Sequence, residues 1–284
     1  MKKENTISMN DLPAFKTYLL EMNRSERTIK KYVHDVTEFI VFLAERELTK
    51  TLCGAWKEEL KHRGLAVSTI NARISAVNTF FKSFSLDEFH MHSLRIQRKC
   101  FRDDERDLSR QEYERLLQTA GQEGDMKLKL IMETLCSAGI RVSELHYITV
   151  EALENTSIRI SLKGKIREIL LPSMMIEKLK AYAREQGITS GEIFLTDDGK
   201  PISRQLIWSK MKAISRKAGV DPKKVYPHNL RHLFARCFYQ SSQDIVKLAD
   251  VLGHSNIQTT RIYLISTGEE HRKQIDSLGL VSCA

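Results

Sequence analysis

Three short segments of this sequence carry side chains that could bind one anion together. The segments are CSAGIRVSEL, PHNLRHLFA and LGHSNIQTTRIYL, and they lie far apart along the chain. Arginine offers paired N–H donors that match the oxygens of a phosphate. Each side chain also has an ordinary structural explanation, such as a packed tyrosine ring or an arginine exposed at a helix end. The candidate residues are Arg141, His228, Arg231, His254 and Tyr263.

Helix-end and helix-face signals place the first two segments. Gly139 is of a residue type that commonly ends helices, so Arg141 lies where the next element begins. There its guanidinium and the N–H groups that follow it can face one anion. His228 and Arg231 are three residues apart, which puts them on one face of a helix, where they can contact one ligand.

The third segment has the spacing of a capping box. Ser255 and Gln258 are three residues apart and predict a short helix. Its position predicts that His254 lies just before this helix and Tyr263 just after it.

The first hundred residues are predicted to form a small helical bundle. Apolar residues recur there at helical spacing in four stripes. The pattern stops in the charged stretch RIQRKCFRDDERDL and resumes after Ser109, which has capping-box spacing with Glu112. The four stripes contain Phe15, Tyr18, Leu19 and Met22; Ile29, Tyr32, Val33, Val36, Ile40 and Leu43; Leu52, Trp56 and Leu60; and Ile70, Ile74, Val77, Phe81 and Phe84.

The rest of the chain is predicted to be α-rich with one β-hairpin. Ile158, Ile160 and Leu162 alternate with polar residues, and a second β-favouring run follows the lysine-containing stretch LKGKIR. We therefore expect a mainly α fold, in which a helical bundle is joined to an α-rich domain with a small sheet.

Length and composition favour a two-domain cytoplasmic protein. A chain of 284 residues can form two separate cores, which we place at 1–95 and 108–284 with a linker at 96–107. The sequence shows neither a membrane-spanning apolar run nor a signal peptide, so no membrane association is expected. The five cysteines are scattered and form no CxxC pair, which indicates neither a disulfide framework nor a thiolate zinc site.

Basic residues are in excess and are unevenly distributed. The chain has 45 Lys and Arg against 36 Asp and Glu, a net charge of +9. Between residues 204 and 236, nine Lys or Arg residues accompany a single acidic residue, Asp221. A basic surface without a partner is one explanation, but the clustering favours a polyanionic partner such as nucleic acid.

Taken in this order and spacing, the three segments resemble the signature of the tyrosine recombinase (phage integrase) family. That signature has an arginine in an A-G-[LI]-R-x-S-E-L context, an H-x-x-R helix, an L-G-H-S turn and a tyrosine nine residues after that histidine. All four elements are present. The helical first domain resembles the family's core-DNA-binding domain, and the layout resembles that of the simple, Xer-like members, without an arm-binding domain.

The resemblance implies an active site of six side chains. The hairpin departs from the family's usual G-K-G-x-K-x-R pattern, because LKGKIR is one residue shorter. Lys163 aligns with the family's first lysine if the deletion follows Gly164, and Lys165 is the alternative. The implied catalytic residues are Arg141, Lys163, His228, Arg231, His254 and Tyr263.

The resemblance also implies a role for each residue. Tyr263 attacks a DNA phosphodiester and forms a 3′-phosphotyrosyl intermediate, which conserves the ester bond without ATP. Arg141 and Arg231 stabilise the charge on the non-bridging oxygens, and His254 donates to one of them. His228 is the expected base, and the hairpin lysine is the acid that protonates the departing 5′ oxygen. We expect Glu144 to orient Arg141 and His232 to support Arg231.

The implied partners are double-stranded DNA with inverted half-sites and further copies of the chain. The resemblance predicts a homotetramer on DNA that exchanges strands through a Holliday junction, in the bacterial cytoplasm at the nucleoid. No cofactor, metal or small-molecule substrate is expected. The apolar tail, with Ile275, Leu278 and Leu280, should dock either on its own catalytic domain or on the neighbouring protomer.

Two other functions fit parts of the pattern. A type IB topoisomerase shares the chemistry but needs neither paired sites nor a tetramer. A non-catalytic DNA-binding regulator would use the basic surface alone. The presence of all six polar positions favours the recombinase.

Overall fold

The structure is a computed structural model that divides into two compact units, residues 1–98 and 99–284. Most of the predicted linker, 96–107, lies outside the described residues. Within the described ranges, no helix is both long and apolar enough to cross a membrane. The structure describes residues 6–96, 106–155, 157–162, 165–264, 268–278 and 280.

The first unit is the predicted helical bundle. Its core contains edge-to-face aromatic pairs, with ring centroids 4.9 Å apart for Phe39 and Trp56 and 5.2 Å apart for Phe15 and Phe80. The apolar stripes of the helices therefore meet in one core. The helices are α1 (Leu12–Glu21), α2 (Glu26–Leu43), α3 (Lys50–His62) and α4 (Val67–Ser83).

Among its described residues, the second unit is α-rich with one two-stranded sheet, as predicted. Its central helix is α6 (Met126–Ala138), which packs against α5 (Arg110–Gln122), α7 (Ser173–Glu185), α8 (Arg204–Lys217) and α9 (Pro227–Ser242). The remaining helices are α10 (Ile245–Leu252), α11 (Ile257–Arg261) and α12 (Gly268–Ser277), and 3-10 turns cover Val142–Tyr147, Glu151–Glu154 and Ile262–Leu264.

The β-hairpin consists of β1 (Ser157–Leu162) and β2 (Lys165–Leu170), paired antiparallel. Ile158, Ile160 and Ile169 are buried against the helices. The alternation of apolar and polar residues in β1 therefore places one face of the hairpin on the core.

One predicted cap is confirmed and one is wrong. Ser109 and Glu112 form the expected capping box of α5. Ser255 does not cap α11, because the carboxamide oxygen of Asn256 accepts from the Gln258 N–H at 2.8 Å and the helix begins at Ile257. Asparagine is as good an N-cap as serine, and here its side chain closes the turn one residue later.

A small apolar cluster fixes the 3-10 turn that carries Tyr263. The ring of Tyr263 packs with Ala235 of α9 and with Leu248 and Leu252 of α10. The tyrosine is therefore held by α9, which carries His228, and by α10, which directly precedes the turn with His254.

Candidate active site

Arg141 lies directly after α6 and is held by a buried carboxylate. Gly139 ends the helix in the left-handed region, with φ 59°. The Glu144 carboxylate accepts from the Arg141 backbone N–H at 2.8 Å and from its Nη1 at 2.9 Å. Glu144 is fully buried, whereas the Arg141 side chain is 40% exposed. The guanidinium is thus oriented on one side and accessible on the other.

Arg231 lies on α9 and is fully buried. Its Nη1 donates to the Gly139 carbonyl at 2.5 Å, and its Nη2 donates to the Leu252 carbonyl at 2.8 Å. The same Nη2 lies 2.8 Å from Nε2 of His254. One side chain therefore joins the ends of α6 and α10.

His254 is fixed through both ring nitrogens. Arginine has only donors, so the His254 Nε2 that faces Arg231 must be the unprotonated acceptor. In a neutral ring the proton then lies on Nδ1, which donates to Thr260 Oγ1 at 2.9 Å. Burial, followed by the positive charges of Arg231 and Arg141, lowers the pKa of His254 to about 4. His254 is accordingly neutral at physiological pH.

Tyr263 is buried among three histidine rings. Its ring centroid lies 6.0 Å from that of His228, 4.4 Å from that of His232 and 5.7 Å from that of His254. The His254 ring is stacked on it, with an interplanar angle of 11°. Residues from two distant segments of the sequence, 227–235 and 252–264, therefore meet around one phenol.

The arginines lower the pKa values of their neighbours. Burial, followed by the charges of Arg231 and Arg141, lowers the pKa of His228. Burial and the nearby Arg141 lower the pKa of Arg231 itself to about 10, while a hydrogen bond to Tyr263 acts in the opposite direction. A neutral imidazole at His228 can accept a proton, and Arg231 stays charged at neutral pH.

The cluster carries a net positive charge. Arg141, Arg167 and Arg231 supply three positive charges and Glu144 supplies one negative charge, which leaves +2 with the histidines neutral. An anion would relieve the repulsion among these guanidinium groups. Within the described part of the chain, no group of three or more His, Cys, Asp or Glu side chains is placed to hold a metal ion.

The hairpin lysines are only partly described. Lys163 lies outside the described residues. Lys165 begins β2 opposite Leu162, but its side chain lies outside the described part. The assignment of the lysine therefore stays a prediction.

Two residues that contact the site are not among the predicted site residues, although Arg167 is the last residue of LKGKIR and matches the final arginine of the family's hairpin pattern. Arg167 of β2 donates to Glu144, and Thr260 of α11 accepts from His254. Arg167 is separated from Glu144 by 23 residues, so no local spacing rule links them. Thr260 is fully buried in a short polar helix, where a threonine is not distinctive.

The basic run at 204–236 carries less unpaired positive charge at the surface than its sequence suggests. Four of its nine basic residues pair with acidic residues that precede the run in the sequence. Arg231, a fifth, is buried in the site. The paired residues are Lys210 with Asp125, Lys217 with Glu123, Lys224 with Glu112 and Arg236 with Asp107.

Comparison with known proteins extends these observations. Residues 106–270 match the phage integrase family, and residues 12–85 match the phage integrase N-terminal SAM-like domain. This chain belongs to the phage integrase family. The expected class of enzyme, a tyrosine-type site-specific recombinase, is confirmed, and the topoisomerase alternative is not favoured.

Named relatives match over nearly the whole chain. Tyrosine recombinase XerA of Pyrococcus furiosus is 27% identical and covers 98% of this chain and 97% of its own length. Tyrosine recombinase XerC of Roseiflexus castenholzii is 30% identical and covers 86% of this chain and 84% of its own length.

Solved structures share the fold. A XerH recombinase bound to its difH substrate has a TM-score of 0.67 at 19% identity, covering 97% of this chain and 91% of that one. A lambda integrase tetramer bound to a Holliday junction has a TM-score of 0.72 at 16% identity, covering 92% of this chain and 78% of that one. The predicted fold class is thus confirmed.

Proposed function

We propose that this recombinase cleaves and rejoins double-stranded DNA with Tyr263 as its nucleophile. The phenol oxygen forms a bond to phosphorus, the bond from phosphorus to the 5′ oxygen breaks, and the 5′ oxygen leaves with a proton. The products are a 3′-phosphotyrosyl linkage and a free 5′-hydroxyl. The observation that carries the proposal is the burial of Tyr263 beside Arg231 and three histidine rings.

The arginines would bind the scissile phosphate. The phosphodiester is already anionic and gains charge as the phenolate attacks, so fixed positive charges stabilise the transition state more than the ground state. Arg231 is fixed by two carbonyls and Arg141 by Glu144, so neither must reorganise during the reaction.

His228 would accept the proton of the tyrosine. Its pKa is lowered, so the imidazole is neutral when the phenol must lose a proton. In the DNA-free site Nε2 of His254 accepts from Arg231, so a direct bond from His254 to a phosphate oxygen requires the other tautomer or a turned ring. Lys163 remains the proposed acid for the 5′ oxygen, with Lys165 as the alternative.

The proposed partner is a DNA site with inverted half-sites, bound by a homotetramer of this chain. The XerH and lambda integrase structures hold DNA, and the latter is a tetramer on a Holliday junction. In this chain, Ile275, Leu278 and Leu280 of the tail are 66%, 63% and 85% exposed. Such an apolar set is a suitable contact for a neighbouring protomer. We place this activity at the nucleoid of a bacterial cytoplasm.

The test separates binding from chemistry. Tyr263→Phe removes only the nucleophilic oxygen, so it should abolish covalent adducts on a nicked suicide substrate and leave DNA affinity within about twofold. The control is Tyr239→Phe, which alters a half-buried tyrosine of the same apolar cluster. Normal adduct formation by Tyr263→Phe, or adducts mapped to another tyrosine, would refute the assignment.

A further inference from the structure

Arg167 of β2 connects three parts of the site that are distant in sequence. Its Nη1 lies 3.0 and 2.9 Å from the two carboxylate oxygens of Glu144. Its Nη2 donates to the Val251 carbonyl at 3.1 Å, in the last turn of α10. The side chain is only 9% exposed. It therefore joins the hairpin to the residue that orients Arg141 and to the turn that carries His254.

The shape of the backbone beside Arg167 fits this contact. Gly253 follows α10 in the left-handed region, with φ 64°. A Cβ atom at Gly253 would overlap the Cδ of Arg167, so a larger residue would displace the arginine even if it tolerated the backbone angle. Gly253 thus adopts the backbone angle that ends α10 and also leaves the space that the Arg167 side chain of β2 occupies.

Arg167 also determines how the Glu144 carboxylate divides its hydrogen bonds between Arg141 and Arg167. The buried carboxylate meets two guanidinium groups, and Arg141 uses only one of its Nη atoms there. If Arg167 were absent, the carboxylate could take a second bond from Arg141 and draw it away from the exposed side, where a phosphate would bind. A fork of donors is needed, because a lysine ammonium is a single point that cannot serve Glu144 and the Val251 carbonyl with the same geometry.

We propose that Arg167 is a positioning residue that holds the hairpin, Arg141 and the His254 turn together for strand cleavage. This inference rests on the proposed function for its kinetic effect. Its structural part, the effect on Arg141 and His254, can be measured without turnover.

The experiment uses the full chain with Arg167→Met and Arg167→Lys. Single-turnover formation of the covalent adduct at saturating DNA should slow by about 100-fold in both variants, since an error of about 1 Å in a catalytic group costs that much. DNA affinity should stay within about twofold of wild type. Wild-type cleavage by Arg167→Lys would overturn the requirement for two simultaneous contacts, and wild-type cleavage by Arg167→Met would overturn any positioning role.

A second measurement follows the effect of the Arg167 charge on the pKa of His254 rather than the cleavage rate. Arg167 is one of the cations that lower the pKa of His254. In histidine-labelled protein without DNA, NMR titration should show a raised His254 pKa in Arg167→Met and a wild-type value in Arg167→Lys, which keeps the charge. An unchanged value in Arg167→Met would overturn the placement of Arg167 beside this site. If Arg167→Met does not fold, Arg167→Lys still decides the question through its cleavage rate.

The matched control is Arg159→Met on the neighbouring strand. Arg159 pairs with Glu168 at 3.3 Å and its side chain is 74% exposed. We expect wild-type cleavage and a wild-type His254 pKa from this variant, and a defect equal to that of Arg167→Met would show that the hairpin is only generally sensitive. If the wild-type protein forms no adduct, the proposed function fails, whereas the His254 titration still decides the role of Arg167.

Discussion

Thr260→Val tests whether the proton on His254 is placed by its neighbours. The valine keeps the shape of threonine and removes the oxygen that accepts from Nδ1 at 2.9 Å. Thr260 is fully buried, so no water is expected to replace the hydroxyl. The Nδ1–H would lose its partner, at a cost of about 1 to 3 kcal/mol.

The ring has two ways to respond, and the second disturbs Arg231. It can keep Nδ1–H unsatisfied, or it can move the proton to Nε2, where it would point at the Nη2 donor of Arg231. If that cost is felt in the transition state, cleavage should slow by about 5-fold to 150-fold. Urea unfolding and single-turnover cleavage measure the two effects, and Thr260→Ser is the control because it retains the hydroxyl. A wild-type rate and an unchanged Nδ1–H tautomer by NMR in Thr260→Val would refute the reasoning.

Three further predictions concern the proton donors, the proton acceptor and the tail. Because burial and the two arginines lower the pKa of His228, the rate should fall on the acid side only below pH 6.5, as the base becomes protonated; a titration centred above 6.5 would contradict this. Lys163→Ala should slow cleavage and be rescued by a 5′-phosphorothiolate leaving group, which needs no proton, whereas rescue of Lys165→Ala would reverse the assignment. Deletion of residues 270–284 should leave folding and half-site binding intact, with less than twofold change in affinity, and abolish cooperative full-site assembly measured by gel shift. Cooperative assembly of the truncated chain would rule out the tail as the link between protomers.

Local patterns were sufficient to predict most of the secondary structure. The amphipathic spacing in α2 and the alternation in β1 come from burial of one face, which is a property of neighbouring residues in the sequence. The spacing of Ser255 and Gln258 predicts a start of α11 one residue too early, because two adjacent residues, Ser255 and Asn256, could each cap it. Which of the two residues becomes the N-cap depends on the path of the backbone in the turn, and residue spacing does not determine that path.

Charge was harder to predict than secondary structure. The excess of basic residues at 204–236 is a property of neighbours in the sequence, whereas the acidic partners of Lys210 and Lys224 are 85 and 112 residues away. The fold brings opposite charges to a segment that looks uniformly basic in sequence. Surface pairs of this kind contribute little to stability, but they reduce the charge that DNA would meet.

The contacts that position the site share a physical cause that the sequence shows only in part. Two helices, α6 and α10, each end in a left-handed glycine, and their last carbonyls lack partners within the helix. Arg231 donates to the carbonyls of Gly139 and Leu252, and Arg167 donates to that of Val251. Helix C-termini attract cations because the carbonyl dipoles point outwards there.

The glycines of the A-G-I-R and L-G-H-S segments are therefore part of how the arginines are placed. Each glycine ends a helix sharply, so that free carbonyls face the interior of the site rather than solvent. A Cβ at Gly139 would overlap the ring of Phe234, and one at Gly253 would overlap Arg167. Gly253 must stay small for Arg167 to reach the Val251 carbonyl, and Gly139 must stay small for the Phe234 ring to pack against the end of α6. The arginines and the helix ends therefore form one unit that neither segment could build alone.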